Sequence, residues 1–324
     1  MKIVDIHGHL WSKFIDDKRY MSPEAEEKWF NTAFLGSDPV LNADAVKLIQ
    51  AINRAEQEFS DEYSMAVFAI DIHKVFPMEV SIEGLNNWVS QQASIDKGGR
   101  IIPFACIDPT RENAVDEARR CVNELHTRGF KLYPPTGFYP NEERISHFYE
   151  EVISLQEQTG NTLPLLFHQG FCFSGSKYAQ PIYLEDVAFR YKPALKIIIA
   201  HAGIPWVDEA LSIAALHQNV YLDIALFGDL YGFWPELHLQ LFGKAKRAGV
   251  LDRVLFGSDW PLSSGWMPSA GGDPAWVNLQ QTVSAIRGLR MPDAMREMGY
   301  PEITETDIEN ILGGNAAALM ELHF

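Results

Sequence analysis

The sequence predicts an α/β fold: a (β/α)8 TIM barrel, one domain over residues 1–324, with a long insertion after the first strand. Three observations predict it. Short β-rich runs alternate with longer runs of helical period from end to end, the pattern of a parallel sheet with crossover helices. Eight such β-rich runs can be read. Residues able to ligate a metal stand at the C-terminal ends of the first, fifth, sixth and eighth of them. A closed barrel brings all its strand ends onto one rim, where such folds place their chemistry. An open sheet would hold those four ends too far apart to converge.

The strands are expected at 2–7, 64–72, 101–107, 129–133, 163–168, 196–201, 219–224 and 253–257. Between them, apolar residues recur at helical spacing. In 143–159 the face is Ile145, Phe148, Tyr149 and Val152; in 113–127 it is Ala114, Val115, Ala118, Cys121, Val122 and Leu125. Further helices are expected at 208–218, 235–248 and about 305–322. Residues 11–59 read as a lid-like insertion, with Trp11, Phe14, Tyr20, Trp29, Phe30 and Phe34 in a polar background. A Gly-, Ser- and Pro-rich stretch, 262–274, is expected to form a loop at the same rim.

Composition narrows the function classes. The chain is 47% hydrophobic and 22% charged, ordinary for a globular protein. Its net charge is −16 and no basic run is present, so a nucleic-acid partner is not expected. No run of apolar residues is long enough to span a membrane, and the N-terminus lacks the pattern of a signal peptide. Cytoplasmic location is the default expectation. Cys106, Cys121 and Cys172 are widely spaced and read as free thiols. There is no G-x-S-x-G elbow and no G-x-G-x-x-G fingerprint.

The chemistry-bearing residues begin with Asp5-Ile6-His7-Gly8-His9. Residues i and i+2 of a strand share a face, so His7 and His9 can project together. Two neutral imidazoles side by side suit a divalent metal. His168, His201 and Asp259 each end a later apolar run. Asp5 is expected to be structural or to stand behind the ligands.

With these residues in view, the chain resembles the amidohydrolase superfamily, in particular its amidohydrolase-2 branch, which includes aminocarboxymuconate-semialdehyde decarboxylase and related metal-dependent hydrolases. The resemblance is carried by Asp5-Ile6-His7-Gly8-His9, Gly129-Phe130-Lys131-Leu132-Tyr133-Pro134, Phe167-His168, Ala200-His201-Ala202-Gly203, Val220-Tyr221-Leu222-Asp223, Phe256-Gly257-Ser258-Asp259-Trp260-Pro261 and Ile311-Leu312-Gly313-Gly314-Asn315-Ala316. It implies one divalent metal, zinc with manganese as the alternative, held by His7, His9, His168 and Asp259. It implies catalytic roles for His201, on the proton of a metal-activated water, and for Asp259.

Lys131 has two readings: a cationic contact for a substrate carboxylate, or a carboxylated bridge between two metals, the mononuclear site being preferred. His73 and Trp260 complete the substrate candidates. Phe171, Phe173, Tyr178, Trp206, Phe227 and Trp266 are candidate rim aromatics, and Arg190 and Lys177 candidate positive charges. His126, His147, His217 and His238 are expected to be exposed.

The expected partner is a small-molecule substrate, carboxylated and cyclic or ring-derived, with a homodimer kept as a candidate assembly. Hydrolysis leads; non-oxidative decarboxylation is the alternative. Several aromatic-acid decarboxylases of the branch carry Glu where His7 stands, which leaves the aminocarboxymuconate-type decarboxylases and the hydrolases both open. A catalytically inactive binding barrel is the alternative of another class.

Overall fold

The structure is a computed structural model that describes residues 1–27, 42–172, 175–226, 235–261 and 274–322. The barrel strands are β1 (Lys2–His9), β4 (Glu62–Phe68), β5 (Ile101–Pro103), β6 (Ala105–Cys106), β7 (Phe130–Leu132), β8 (Leu165–Phe167), β9 (Ile197–Ile199), β10 (Val220–Asp223) and β11 (Val254–Leu255). A small antiparallel hairpin, β2 (Phe14–Ile15) and β3 (Lys18–Arg19), follows β1. Parallel pairing runs β1-β4-β5 and β6-β7-β8-β9-β10-β11.

Backbone hydrogen bonds join the two sheets. β5 and β6 are halves of one stave parted at Phe104, which donates to Val67 O at 2.9 Å while Ala105 donates to Gly129 O at 2.9 Å. At the other seam Ile6 N donates to Phe256 O at 2.9 Å, Asp259 N to His7 O at 2.8 Å and His9 N to Trp260 O at 2.6 Å. All the expected strands are therefore present, in the expected order.

Strand alternation divides the core in two. Val4, Ile6, Ala66, Phe68, Ile102, Phe104, Leu166, Ile198, Ala200 and Leu255 form the inner cluster, with Ala316, Leu319 and Met320 of the last helix. Their alternate neighbours, such as Ile3, Met65, Ile101, Leu165, Ile197 and Val254, join a larger outer cluster under the helices. Strands covered on both faces need apolar residues at nearly every position, and Ile197-Ile198-Ile199 is the plainest case.

Helices fill the crossovers at Ile82–Ala93, Ala114–Asn123, Ser146–Thr159, Val207–Leu216 and Pro235–Arg247. The face expected over 143–159 is the one buried: Ile145, Phe148, Tyr149 and Val152 are at most 2% exposed. The C-terminal helix is broken into Glu305–Glu309, a π turn at Asn310–Gly314 and Asn315–Leu319. Thr304 and Asp307 cap its start reciprocally.

The insertion is shorter than the 11–59 expected. Ala45–Phe59 is a barrel helix, capped by Asp44 and stopped by Ser60 at φ 57°, with Ala45, Leu48, Ala51, Ile52 and Ala55 buried. Among the described residues, the segment ahead of it contains the hairpin and a short turn at Pro23–Ala25. Trp29, Phe30 and Phe34 lie outside the described residues.

Candidate metal centre

Strand ends set the site. β1 carries one residue more than β4: Asp5 pairs with Met65, but Gly8 pairs with Val67. Asp5 then locks the strand. Its Oδ1 accepts from His7 N and Ser258 N, each at 3.0 Å, and its Oδ2 from the Tyr63 hydroxyl at 2.8 Å. Burial raises its pKa to about 6 against those bonds. Asp5 thus holds the backbone behind His7 and beside Asp259. Gly257 lets the segment after β11 approach β1, since a Cβ there would stand 2.9 Å from His7 Cβ.

His7, His9, His201 and Asp259 are all buried, and His168 is half-buried beside them. Asp259 adopts a left-handed backbone at φ 58°, as does His201 at φ 57°. Non-glycine residues in this region cost energy and cluster at working sites. The ligand atoms of His7, His201 and Asp259 all lie within 4.8 Å of one another. His7 Nε2 is 3.0 Å and His9 Nε2 2.9 Å from Asp259 Oδ1. Yet that oxygen, among the described residues, has no hydrogen-bond partner. The imidazole nitrogens approach it without the alignment of an N–H donor. Two nitrogens and one carboxylate oxygen crowded in this way are a donor set that fits a divalent cation.

The fourth expected ligand, His168, lies at the end of β8. Its Nδ1 is 3.1 Å from His201 Nε2, and its Nε2 has no partner among the described residues. His201 Nδ1 is 2.8 Å from Ala225 O, an atom that can only accept. His201 therefore carries its proton on Nδ1, and its Nε2 accepts from His168 Nδ1. That leaves His168 Nε2 as a bare lone pair.

Protonation states agree with ligand chemistry. Burial pushes His9 down to about 3 and His201 down to about 4, and holds His168 well below its usual value. These imidazoles are neutral. Burial alone would raise Asp259, but His7 and His9 beside it hold it well below the usual carboxylate range. For His7, burial and then Lys131 act to lower its pKa; Asp223 and Asp259 outweigh them and raise it.

Lys131 is the substrate candidate that the fold draws into the centre. It is 2% exposed, with Nζ 3.1 Å from His7 Nε2 and 4.6 Å from the centre of the Phe68 ring. Burial lowers its pKa to about 8.

The amidohydrolase-2 family model, described as amidohydrolase, matches residues 4–322. The chain belongs to this family. Solved structures share its fold. A probable 2-pyrone-4,6-dicarboxylic acid hydrolase from Acinetobacter baumannii, with citric acid bound, is 15% identical at a TM-score of 0.62, covering 99% of this chain and 100% of that one. A 5-carboxyvanillate decarboxylase from Novosphingobium aromaticivorans, complexed with manganese and a nitrobenzoic acid, is 13% identical at 0.59, covering 99% and 96%. An amidohydrolase from Burkholderia multivorans with bound zinc is 16% identical at 0.57, covering 100% of both chains.

The other sequence candidates of this amidohydrolase divide. His73 sits past the end of β4, its Nδ1 2.9 Å from Asp71 Oδ1 and its side chain 29% exposed. Trp260 is 2% exposed within the outer apolar cluster. Trp11 stacks on His9 with ring centres 4.9 Å apart, and Tyr20 stacks on Trp11 at 6.2 Å. The described part of the insertion thus lies against a ligand candidate. Phe171 is exposed, 6.5 Å from Trp206. Tyr178 packs on Tyr139. Phe173, Phe227, Trp266 and the 262–273 stretch lie outside the described residues.

Arg190 is exposed and pairs with Glu143, and Lys177 lies over Tyr178. His126 and His147 are exposed, but His217 and His238 are not, a correction to the sequence reading. His217 ends its helix facing Glu185, 3.0 Å away. His238 packs on Phe242 within its own helix. The described residues include no helix long and apolar enough to cross a membrane.

Sequence reasoning assigned no role to Asp223, which contacts His7 at 2.9 Å. Its signal was available: it ends the seventh strand, the same placement that marked His201 and Asp259.

Proposed function

We propose that this chain is a metal-dependent hydrolase acting on a small carboxylated, cyclic or ring-derived substrate. His7, His9, His168 and Asp259 would hold the metal, zinc with manganese as the alternative. The observation that carries the reading is Asp259 Oδ1, which lies within 3.0 Å of two imidazole nitrogens without a hydrogen bond. A divalent cation bound there supplies Lewis-acid polarisation and brings the pKa of a water down to about 7 in the best zinc cases. The protein's part is to position groups and move a proton. His201 Nε2 is an acceptor because Ala225 O holds the other ring nitrogen as a donor, and it takes a proton from water by exchanging its contact with His168 Nδ1 for one with that water. A neutral imidazole is the right form for accepting a proton. Lys131 offers a buried amine for a carboxylate next to His7.

Buried Lys131 also favours a second reading, non-oxidative decarboxylation, because an ammonium at the centre could supply the proton that carbon takes up as carbon dioxide leaves. Products separate the two: carbon dioxide for decarboxylation, hydrolytic fragments for hydrolysis.

The test begins with elemental analysis of protein prepared without chelator, which should give one metal per chain. His9→Ala should lose it. His201→Asn should keep metal and fold but lose turnover by about 10²–10⁴-fold on a panel of cyclic acids. Full metal content in a His7→Ala/His9→Ala double variant refutes the ligand set.

A further inference from the structure

We infer that Asp223 is the positioning residue that sets the proton tautomers of the metal centre. This rests on the proposed metal site for its purpose, though its geometry stands alone. Asp223 is fully buried at the end of β10. Its two oxygens do different work. Oδ2 is 2.9 Å from His7 Nδ1. Oδ1 accepts from the backbone of His201 at 2.9 Å and of Ala225 at 3.0 Å. Both His7 nitrogens face a carboxylate, but only one contact has hydrogen-bond geometry: Nδ1 to Asp223 Oδ2, whereas Nε2 lies 3.0 Å from Asp259 Oδ1 without one. An ionised carboxylate can only accept, so the proton sits on Nδ1 and Nε2 keeps its lone pair. His7 thus presents a bare Nε2 toward Asp259.

The other oxygen fixes a second tautomer at one remove. By holding the Ala225 and His201 amides, Oδ1 secures the left-handed backbone at His201. It also secures the Ala225 carbonyl that takes the His201 Nδ1 proton. His201 Nε2 then accepts from His168 Nδ1, which leaves His168 Nε2 bare. One carboxylate therefore governs two nitrogens of the centre, His7 Nε2 directly and His168 Nε2 at one remove. A carboxylate behind a ligating histidine is a general device for fixing its tautomer. Here the same group also shapes the loop that carries the proton acceptor.

Asp223→Asn is the sharp test, because the structure dictates how the amide must sit. Two backbone N–H groups face Oδ1 and demand an oxygen there. The amide nitrogen is then forced toward His7 Nδ1, where it donates. His7 then favours its proton on Nε2, and binding a metal there must first reverse that preference. The readout is ¹⁵N–¹H correlation of histidine-labelled, metal-free protein at alkaline pH, with His7 assigned by its loss in His7→Gln. Wild type should show His7 protonated on Nδ1, and Asp223→Asn should show it on Nε2. Metal affinity, measured by chelator competition, should fall by about 10–100-fold. A wild-type His7 protonated on Nε2 overturns the inference, and so does a variant with unchanged tautomer. Should the variant fail to fold, the wild-type spectrum alone decides. Protein that binds neither zinc nor manganese, yet shows the Nδ1 tautomer, defeats the proposed function and leaves the inference standing.

Discussion

Two adjacent glycines should respond oppositely to the same substitution. Gly313 and Gly314 end the π turn that packs under β1. A Cβ on Gly313 would stand 2.0 Å from Lys2 O, 3.0 Å from Lys2 C and 3.2 Å from Val4 N. Ordinary contact begins at 3.4 Å, and the obstacle is backbone, so no rotamer change relieves it. Strand and helix must part by more than an ångström. Overpacking of a tight core costs about 1–3 kcal/mol, and this site belongs at the upper end. Alanine gains back about 1 kcal/mol of helix propensity. Gly313→Ala should therefore lose about 2 kcal/mol net. The three atoms nearest a Cβ on Gly314 all belong to the Asn310 side chain, with Oδ1 at 2.7 Å, and that side chain can turn aside. Gly314→Ala should be neutral or gain up to about 1 kcal/mol. Urea denaturation of both variants in metal-free form measures the difference without metal as a confounder. The strand displaced by Gly313→Ala carries His7 and His9. Misplacement of about 1 Å can cost about 10²-fold in activity, so this variant should also bind metal more weakly. Equal stability of the two variants would refute the packing argument.

Asp71 accepts from Arg111 at 2.6 and 2.8 Å, from His73 at 2.9 Å and from Asp108 N at 2.9 Å while 3% exposed. Asp71→Asn should cost about 3–5 kcal/mol, since it leaves a partly buried guanidinium unpaired. Burial alone would raise the Asp71 pKa, but the Arg111 and His73 bonds hold it below the usual range. The folded carboxyl is thus more acidic than the unfolded one, near 3.9. Its contribution is complete above that value and is lost as pH falls toward the folded pKa. Acid unfolding curves should separate wild type from Asp71→Asn near neutrality and converge at low pH. Adding zinc or manganese to metal-free protein at 100 times Kd should raise stability by about 2.7 kcal/mol, read as a thermal shift that His9→Ala abolishes.

The parts of this molecule legible in sequence are those that periodicity and strand ends encode. Ile145, Phe148, Tyr149 and Val152 announce a buried helical face, and His7, His9, His168, His201 and Asp259 each end an apolar run. Ala45–Phe59 carries its own apolar spacing, but the aromatics ahead of it mask the boundary between insertion and barrel helix. The buried His217 meets Glu185, a partner 32 residues away in sequence that spacing does not announce. Asp223 was visible as a strand-end acid. Its role lies in which atoms it faces, and no spacing rule contains that.

The alternation rule itself fails at the most informative motif. Val4 and Ile6 belong to the inner cluster, so strict period two would turn His7 outward with Ile3 and Asp5. Instead the His7 ring lies 5.1 Å from Phe68, an inner residue, directly after inward Ile6. The extra residue in β1, between the Asp5–Met65 and Gly8–Val67 pairs, produces this. Bulges at barrel rims re-aim side chains in this way. The bulge is held on one side by Asp5, which accepts from His7 N and Ser258 N, and on the other by the Asp259 amide on His7 O. Asp5 thus does for the backbone of β1 what Asp223 does for the imidazole of His7. The motif's first acid and its first histidine form one unit: the acid sets where the strand kinks, and the kink decides that both histidines reach Asp259.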